Sequence, residues 1–211
     1  MREPTAPAYY DRRATEYDDW YLGTGLFTKR DRDGWDEALA ALCASLEALP
    51  PARTLDVACG TGFLTRHLRG TLTGLDQSAR MLAIAQERIP RATFVLGDGI
   101  ELAFPNDAYD RIVTGHFYGH LDERQRLTFL EHARRVAAEL VVVDASREYA
   151  GFDEEWSKRQ LGDGSCWEVY KRYFEPETLL RELGGGEVVF AGRWFVVVRS
   201  HRRPRRPVGS P

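Results

Sequence analysis

Short apolar segments alternate with amphipathic segments along most of the chain. The apolar segments are rich in β-branched residues, which predicts strands; five of them occupy residues 54–58, 71–76, 92–96, 110–115 and 139–145. The segments between them have helical spacing of their apolar residues. Strands that alternate with helices are typical of a parallel sheet covered by helices on both faces. The pattern therefore predicts an α/β fold in three layers.

Three of the amphipathic segments contain specific helix signals. Ser78 precedes an apolar periodic run and is a predicted N-cap. Asp122 and Gln125 have the spacing of a capping box. Apolar residues at helical spacing over 35–49 predict one further helix before the first strand.

The end of the chain departs from the alternation. Two apolar runs, 187–191 and 194–200, are separated only by Gly192 and Arg193. A link this short joins antiparallel strands, so the pattern predicts a mostly parallel seven-stranded sheet that ends in an antiparallel hairpin. We expect a single domain over 1–200 and a disordered Arg/Pro tail over 201–211.

Composition narrows the functional classes. The net charge is −3 although the tail contains four arginines, and an acidic body argues against a nucleic-acid partner. The three cysteines are widely spaced, which predicts neither a disulfide framework nor a metal site. No apolar run is long enough for a membrane helix. We therefore expect a cytoplasmic protein without a membrane contact, as a monomer or homodimer.

The stretch LDVACGTG contains the first candidate site residues. Asp56, Ala58, Gly60 and Gly62 follow the first strand, where we expect the chain to turn into a helix. Small residues allow a ligand close to the backbone. No lysine follows as in a phosphate-binding loop, and Thr65 stands where a dinucleotide site has its third glycine. The carboxylate of Asp56 would repel a pyrophosphate but attract an ammonium group.

Two further acids suggest which nucleotide is bound. Asp76 ends the second strand, where an acid can accept hydrogen bonds from both ribose hydroxyls. Asp98 follows the third strand and could accept from an exocyclic amine of adenine, with Ile100 over the purine. A ribose, an adenine and an ammonium group without phosphate describe S-adenosylmethionine.

From about Tyr9 to Glu182 the chain resembles the class I S-adenosylmethionine-dependent methyltransferases, especially bacterial small-molecule enzymes. LDVACGTG, GLDQSARML, GDGIELAFPNDAYD and RIVTGHFYGHL resemble their four motifs in order and spacing; Ala58 stands where glycine is usual. The resemblance implies a Rossmann-like fold, S-adenosylmethionine as cofactor and S-adenosylhomocysteine as product.

The resemblance also implies which residues bind the cofactor. The segment YYDRRATEYDDWY resembles one that closes over the cofactor in many relatives, so we expect residues 1–30 to form a lid. The implied cofactor-binding residues are Tyr10, Tyr17, Asp56, Ala58, Gly60, Gly62, Asp76, Gln77, Met81, Asp98, Gly99, Ile100, Gly115 and His116.

Candidate catalytic residues follow the fourth strand. A base is needed only if the acceptor must lose a proton, and His116 and His120 are the best-placed candidates because histidine titrates near neutral pH. The alternative is that each only bonds a nearby backbone group.

Residues 145–175 form an insertion after the fifth strand that is rich in aromatic residues. Aromatic density suits a flat or hydrophobic organic acceptor; the alternatives are a dimer contact or a seat for the lid. Asp144 could contact the acceptor or cap a turn. The candidate substrate-binding residues are Tyr21, Tyr149, Trp156, Trp167, Tyr170 and Tyr173.

The sequence thus predicts methyl transfer to oxygen or nitrogen of a small organic acceptor, such as a secondary metabolite, without a metal. Three alternatives remain: a non-methylating reaction such as cyclisation or decarboxylation, a nucleic-acid or protein methyltransferase that uses the arginine tail, and a non-catalytic binding module.

Overall fold

The computed structural model describes residues 7–202. The helices are α1 (Pro7–Arg13), α2 (Asp19–Leu22), α3 (Trp35–Glu47), α4 (Ala79–Arg88), α5 (Glu123–Val136), α6 (Arg147–Ala150) and α7 (Pro176–Glu182). The strands are β1 (Ala52–Val57), β2 (Gly70–Asp76), β3 (Thr93–Leu96), β4 (Tyr109–Gly115), β5 (Ala137–Ala145), β6 (Glu154–Gln160), β7 (Cys166–Arg172), β8 (Glu187–Ala191) and β9 (Phe195–His201).

Seven of the strands form one sheet in the order β3-β2-β1-β4-β5-β9-β8. Strands β1 to β5 pair in parallel, whereas β9 is antiparallel to both β5 and β8. The predicted fold class, including the terminal hairpin, is confirmed. The link between β8 and β9 also includes Trp194, one residue more than the sequence suggested.

The sheet buries both of its faces, as strands covered by helices on two sides must. On one face Ile112 and Val142 join a core with Phe129 of α5 and Leu179 of α7. On the other face, the neighbouring residues of the same strands pack with α3: these are Val113, Val141 and Val143, with Trp35, Leu42 and Leu46. Side chains that alternate between two cores produce the three-layer arrangement.

The predicted helix starts are also confirmed. The Ser78 hydroxyl accepts a hydrogen bond from the Met81 amide at the start of α4. Asp122 and Gln125 form a reciprocal capping box at the start of α5. Both caps satisfy amides that would otherwise have no partner at a helix N-terminus.

The prediction of a helix directly after the glycine turn is wrong. Between β1 and β2 the chain forms only a short 3₁₀ turn, Thr65–His67. Only twelve residues connect the two strands, and the turn itself, with left-handed φ at Ala58, Gly60 and Gly62, occupies the first five. The remaining residues are too few to form a full helix and return to the start of β2.

The insertion over 145–175 contains structure that the sequence reasoning missed. Strands β6 and β7 pair antiparallel as a separate two-stranded sheet. Charged residues dominate β6, so the segment lacks the apolar alternation that identifies a strand. At the C-terminus, His201 still belongs to β9, and the predicted tail lies outside the described residues from position 203 onward.

Candidate functional site

The carboxyl ends of β1 and β4 lie side by side at the point where the winding of the sheet reverses. In an open α/β sheet, ligands bind outside the strands at this point. Two non-glycine residues with left-handed φ are located here, Ala58 after β1 and His116 after β4, each at 57°. Such a conformation costs an L-residue about 1–3 kcal/mol and is concentrated at functional sites. The backbone strain therefore coincides with the expected ligand position.

A cavity of about 870 Å³ opens at these strand ends and adjoins a smaller one. Most of the residues that the resemblance implied for cofactor binding line it. They are Tyr10, Tyr17, Ala58, Asp76, Gln77, Asp98, Gly99, Ile100, Gly115 and His116. The sheet topology thus brings together side chains that are widely separated along the sequence.

Asp76 lines the larger cavity and is held in place by backbone amides. Its carboxylate accepts hydrogen bonds from the Gly60 amide at 2.8 Å and the Ser78 amide at 2.9 Å. Burial raises the pKa of Asp76 above its usual value, against the opposing effect of these amides. A carboxylate can accept about four hydrogen bonds, so Asp76 keeps acceptor capacity for a ligand in the cavity.

Asp98 lies at the same sheet edge in a more open position. Its side chain accepts from the Ile100 amide at 2.6 Å and thereby orders the turn after β3. Gly99 and Ile100 follow it on the cavity wall. The acid combines a turn role with free acceptor capacity toward the cavity.

Four of the implied cofactor residues do not line the larger cavity. Asp56 is buried and accepts from the Thr65 hydroxyl at 2.5 Å, and burial raises the pKa of Asp56 to about 7. Met81 is buried in α4, while Gly62 packs against Ala85 and Ile89. Gly60 acts through its amide bond to Asp76. A cofactor role of these four remains a prediction.

The N-terminal segment, residues 7–30, is fixed over the glycine turn and α4. Asp11 accepts from the Ser78 hydroxyl at 2.5 Å. Asp18 accepts from the Thr61 hydroxyl at 2.6 Å and forms an ion pair with Arg88 at 2.5 Å. These contacts keep the segment beside the larger cavity, which Tyr10 and Tyr17 help to line.

A smaller cavity of about 610 Å³ lies between the N-terminal segment and the β6–β7 hairpin. Tyr17, His116 and His120 line both cavities, so they mark the place where the two adjoin. A molecule in one cavity can therefore approach a molecule in the other at these three residues.

The candidate substrate residues are divided among three places. Tyr149 and Tyr173 line the smaller cavity, whereas Trp156 and Tyr170 line the outer part of the larger one. Tyr21 stacks on Phe63 with ring centres 4.0 Å apart, and Trp167 packs on Tyr9. Neither Tyr21 nor Trp167 is among the lining residues of either cavity.

Burial changes the chemistry expected of the two histidines. It lowers the pKa of His116 to about 3, helped by the nearby charge of Lys171, and lowers the pKa of His120 well below the usual value. The His120 ring is hydrogen-bonded through Nδ1 to the Tyr170 carbonyl at 2.6 Å. Both rings are therefore neutral at physiological pH, and a group of pKa near 3 is a weak general base. The structure favours positioning over proton removal.

Asp144, at the end of β5, is fully buried beneath the smaller cavity. It forms an ion pair with Lys171 and accepts hydrogen bonds at 2.7 Å from the amides of Gly119 and Ala145. Burial lowers the pKa of Lys171, although Asp144 opposes this effect. Asp144 thus connects the sheet edge, the turn after β4 and the hairpin.

Sequence reasoning missed the basic residues of the smaller cavity, among them Arg13, Arg159 and Lys171. Arg159 of β6 and Lys171 of β7 could have been placed on one face of a hairpin if these two segments had been identified as strands.

Among the described residues, no group of three or more His, Cys, Asp or Glu side chains could hold a metal ion. Nor does any helix in 7–202 have the length and apolar composition that a membrane span requires.

Comparison of the sequence with known protein families shows that residues 54–149 match a family described as a methyltransferase domain. An uncharacterized methyltransferase of Alkaliphilus oremlandii is 28% identical over 159 residues, which are 72% of this chain and 70% of that protein. A demethylmenaquinone methyltransferase of Thermotoga maritima is 32% identical over 134 residues, or 60% of this chain. The match spans about half of the length of the Thermotoga protein, 54%.

Solved structures have the same fold over almost the whole chain. A structure described as the DhpI–SAH complex superposes with a TM-score of 0.70 at 25% identity, covering 94% of this chain and 96% of that one. A DhpI–SAM–HEP complex gives a TM-score of 0.69, also at 25% identity, over 91% of this chain and 94% of that one.

Proposed function

We propose that this chain methylates oxygen or nitrogen of a small organic acceptor. Its residues 54–149 match a methyltransferase domain, and the chain has the fold of the class I S-adenosylmethionine-dependent methyltransferases. The observation on which this proposal rests is the junction of the two cavities at Tyr17, His116 and His120. The larger cavity would hold the cofactor and the smaller one the acceptor.

The residues of the larger cavity fit S-adenosylmethionine. Asp76 has acceptor capacity for ribose hydroxyls, and Asp98 with Ile100 offers an acceptor and an apolar surface for adenine. When bound, the cofactor supplies a methyl group on a positively charged sulfur, which a lone pair of the acceptor can displace. The relatives support this assignment, since two structures of similar fold are described as complexes with SAH and SAM.

The chain's own contribution would be positioning and exclusion of water. The N-terminal segment covers the larger cavity through the Asp11–Ser78 and Asp18–Arg88 contacts, and enclosure restricts both reactants to a productive approach. Neutral His116 and His120 at the junction can orient an acceptor atom by hydrogen bonding. The acceptor, the methylated atom, the oligomeric state and a cytoplasmic location stay predictions.

Calorimetry with S-adenosylhomocysteine, followed by turnover with S-adenosylmethionine and a panel of small acceptors, tests the proposal. We expect one-to-one uptake of S-adenosylhomocysteine and a product heavier by one methyl group. Absence of uptake by folded protein would contradict the proposal. Uptake with a product of unchanged methyl content would instead favour a cyclisation or decarboxylation.

The nucleic-acid or protein alternative has its own test. Because β9 includes His201, the truncation should follow Arg202, so that the described sheet stays intact. Removal of residues 203–211 should leave small-molecule turnover within about twofold, since none of residues 195–202 lines either cavity. Loss of all acceptor methylation on truncation would favour a substrate that the tail binds.

A further inference from the structure

Basic side chains from two separate elements line the smaller cavity. Arg13 comes from α1, while Arg159 and Lys171 come from β6 and β7. Arg159 and Lys171 share one face of the hairpin, because residues of β6 and β7 alternate in burial and Glu155 is the direct partner of Lys171. The hairpin therefore presents its charged inner face to the N-terminal segment across the cavity.

The balance of charge in this cavity differs from that of the whole protein. Its lining includes six basic residues, Arg13, Arg30, Arg32, Lys158, Arg159 and Lys171, and four acidic ones, Glu16, Asp19, Asp31 and Glu155. The full chain has a net charge of −3. A cavity of positive sign in an acidic protein concentrates anions from solution.

Arg13 is buried without a counter-ion in the described part of the chain. Its side chain donates to the Tyr9 hydroxyl at 2.9 Å and lies 4.9 Å from the centre of the Tyr17 ring. Within residues 7–202, neither Arg13 nor Arg159 forms an ion pair with a carboxylate. A buried cation without a partner is costly, and a guanidinium is well shaped to bind an oxyanion in two-point fashion.

The acids of the cavity are engaged with neutral donors. Glu16 accepts from the Gly162 amide at 2.9 Å and Glu155 from the Tyr173 hydroxyl at 2.6 Å. Asp19 accepts from the Thr24 hydroxyl, and Asp31 from the Asp33 amide. Lys171, in contrast, already has Asp144. Apart from Lys171, none of the six basic lining residues is in an ion pair within residues 7–202; of the other five, Arg13 and Arg159 are the ones near enough to His116 for their charges to act on it.

A polar atom at the junction with the larger cavity also has no partner. Within the described residues, Nε2 of His116 is buried and makes no hydrogen bond. A neutral imidazole can donate one hydrogen bond to an oxyanion. Arg13, Arg159 and His116 thus line one cavity, and Arg13 and Arg159 come from separate elements, α1 and β6.

We propose that the smaller cavity binds an acceptor through an oxyanion group, a carboxylate or a phosphate, held by Arg13 and Arg159 with Lys171 beside them. This inference rests on the proposed methyl transfer, since it defines the substrate class of the same site. The aromatic residues Tyr149, Tyr173 and Trp194 on the cavity wall would contact the organic part of the acceptor.

Calorimetry on protein saturated with S-adenosylhomocysteine provides the test. The probes are phenyl phosphate and benzoate, each compared with a neutral counterpart, phenol and benzamide. The first variant is Arg159→Gln, because this side chain is only half-buried; Arg13→Gln is the second. The matched control is Arg12→Gln, which removes an exposed charge that pairs with Asp163 and lines neither cavity.

We expect at least one acid to bind about tenfold more tightly than its neutral counterpart, and the acid that binds identifies carboxylate or phosphate as the group recognised. Arg159→Gln should weaken that acid about tenfold, the loss typical of one charged hydrogen bond, while Arg12→Gln stays within about twofold of wild type. S-adenosylhomocysteine affinity, measured on every variant, reports an intact fold.

Two results would overturn the inference. One is that neither acid binds more tightly than its neutral counterpart; the other is that Arg159→Gln and Arg13→Gln both bind the acid as wild type does. In either case uptake of S-adenosylhomocysteine would leave the proposed methyl transfer standing. Failure of S-adenosylhomocysteine itself to bind would contradict the proposed function instead.

Discussion

The two cavities of the site are built in opposite ways. In the larger one, Asp76 ends β2 of the main sheet and Asp98 follows β3, and backbone amides donate to both acids. In the smaller one, the basic residues Arg13 and Arg159 come from a helix and a hairpin that lie outside that sheet. Backbone amides fix a short carboxylate tightly, whereas a long basic side chain depends on the packing of its whole element.

The difference assigns separate tasks to separate parts of the fold. The central sheet supplies fixed acceptors that suit a cationic nucleoside donor. The N-terminal segment and the β6–β7 hairpin supply donors of positive charge, which suit an acceptor of the opposite sign. On this view a change of acceptor would require new residues in the N-terminal segment or the hairpin, while the acids at the sheet edge stay the same.

The largest expected effect concerns the buried acid under the glycine turn. The pKa of Asp56 rises from 3.8 to about 7 on folding, so between these pH values the folded state holds a proton that the unfolded state has lost. Stability from this group is therefore lost as the pH rises through about 7, by about 4 kcal/mol in total. Urea unfolding from about pH 4 to pH 8 should show wild type losing stability relative to Asp56→Asn.

Parallel stability curves for wild type and Asp56→Asn would contradict this account. They would mean that Asp56 is ionised in the folded state and adds one negative charge to the sheet edge beside the larger cavity.

The second effect concerns the connection between the sheet and the hairpin. Lys171→Met leaves the buried carboxylate of Asp144 without its ion-pair partner, which should lower the free energy of unfolding by about 3 kcal/mol. The exposed pair Arg53–Asp110 is the matched control, and Arg53→Met should leave the free energy of unfolding nearly unchanged because water screens an exposed ion pair.

The double variant Asp144→Asn/Lys171→Met should recover part of the loss, because no charge is left buried, although the amide oxygen can replace only one of the two carboxylate oxygens that accept from Gly119 and Ala145. Equal stability of the single and double variants would show that the hairpin does not depend on the buried charge.

The third effect tests the acid of the larger cavity. Asp76→Ala removes the acceptor of the Gly60 and Ser78 amides together with the proposed ribose contact. S-adenosylhomocysteine affinity should fall by about 2 kcal/mol in calorimetry. Asp110→Ala, at the other end of the sheet, should bind as wild type does; an equal loss in both variants would refute a specific role of Asp76.

The smallest effect concerns the attachment of the N-terminal segment. Asp11→Ala removes the hydrogen bond to Ser78 and should weaken S-adenosylhomocysteine by about 1 kcal/mol, or about fivefold. Asp36→Ala in α3 serves as the control for loss of an acid elsewhere. Unchanged affinity in Asp11→Ala would mean that closure over the larger cavity does not need this contact.

The expectations from sequence held where local pattern and global topology agree. The strands, the caps at Ser78 and Asp122 and the terminal hairpin depend on residues close in sequence. Parallel strands then bring their carboxyl ends to one edge, so the acids that follow them could be placed at one site in advance. The cavity that contains Asp76 and Asp98 follows from that rule.

The expectations failed or stayed untested where packing outweighs pattern. Tyr21 and Asp56 are buried between elements that no local signal pairs with them. From the sequence alone, His116 is expected to titrate near neutral pH like an isolated histidine. Burial in the folded protein instead lowers the pKa of His116 to about 3. Desolvation is a property of the assembled surroundings and has no counterpart in a linear motif.

The amino-acid sequence by itself determined the α/β fold, the sheet edge at which ligands bind and the acids that face it, because strand periodicity and chain direction are local properties. Only the tertiary structure decided that β6 and β7 form a hairpin, that Arg13 and Arg159 line the same second cavity, and that the histidines between the cavities are neutral. These features depend on contacts between residues far apart in the chain, and on the loss of water that such contacts cause.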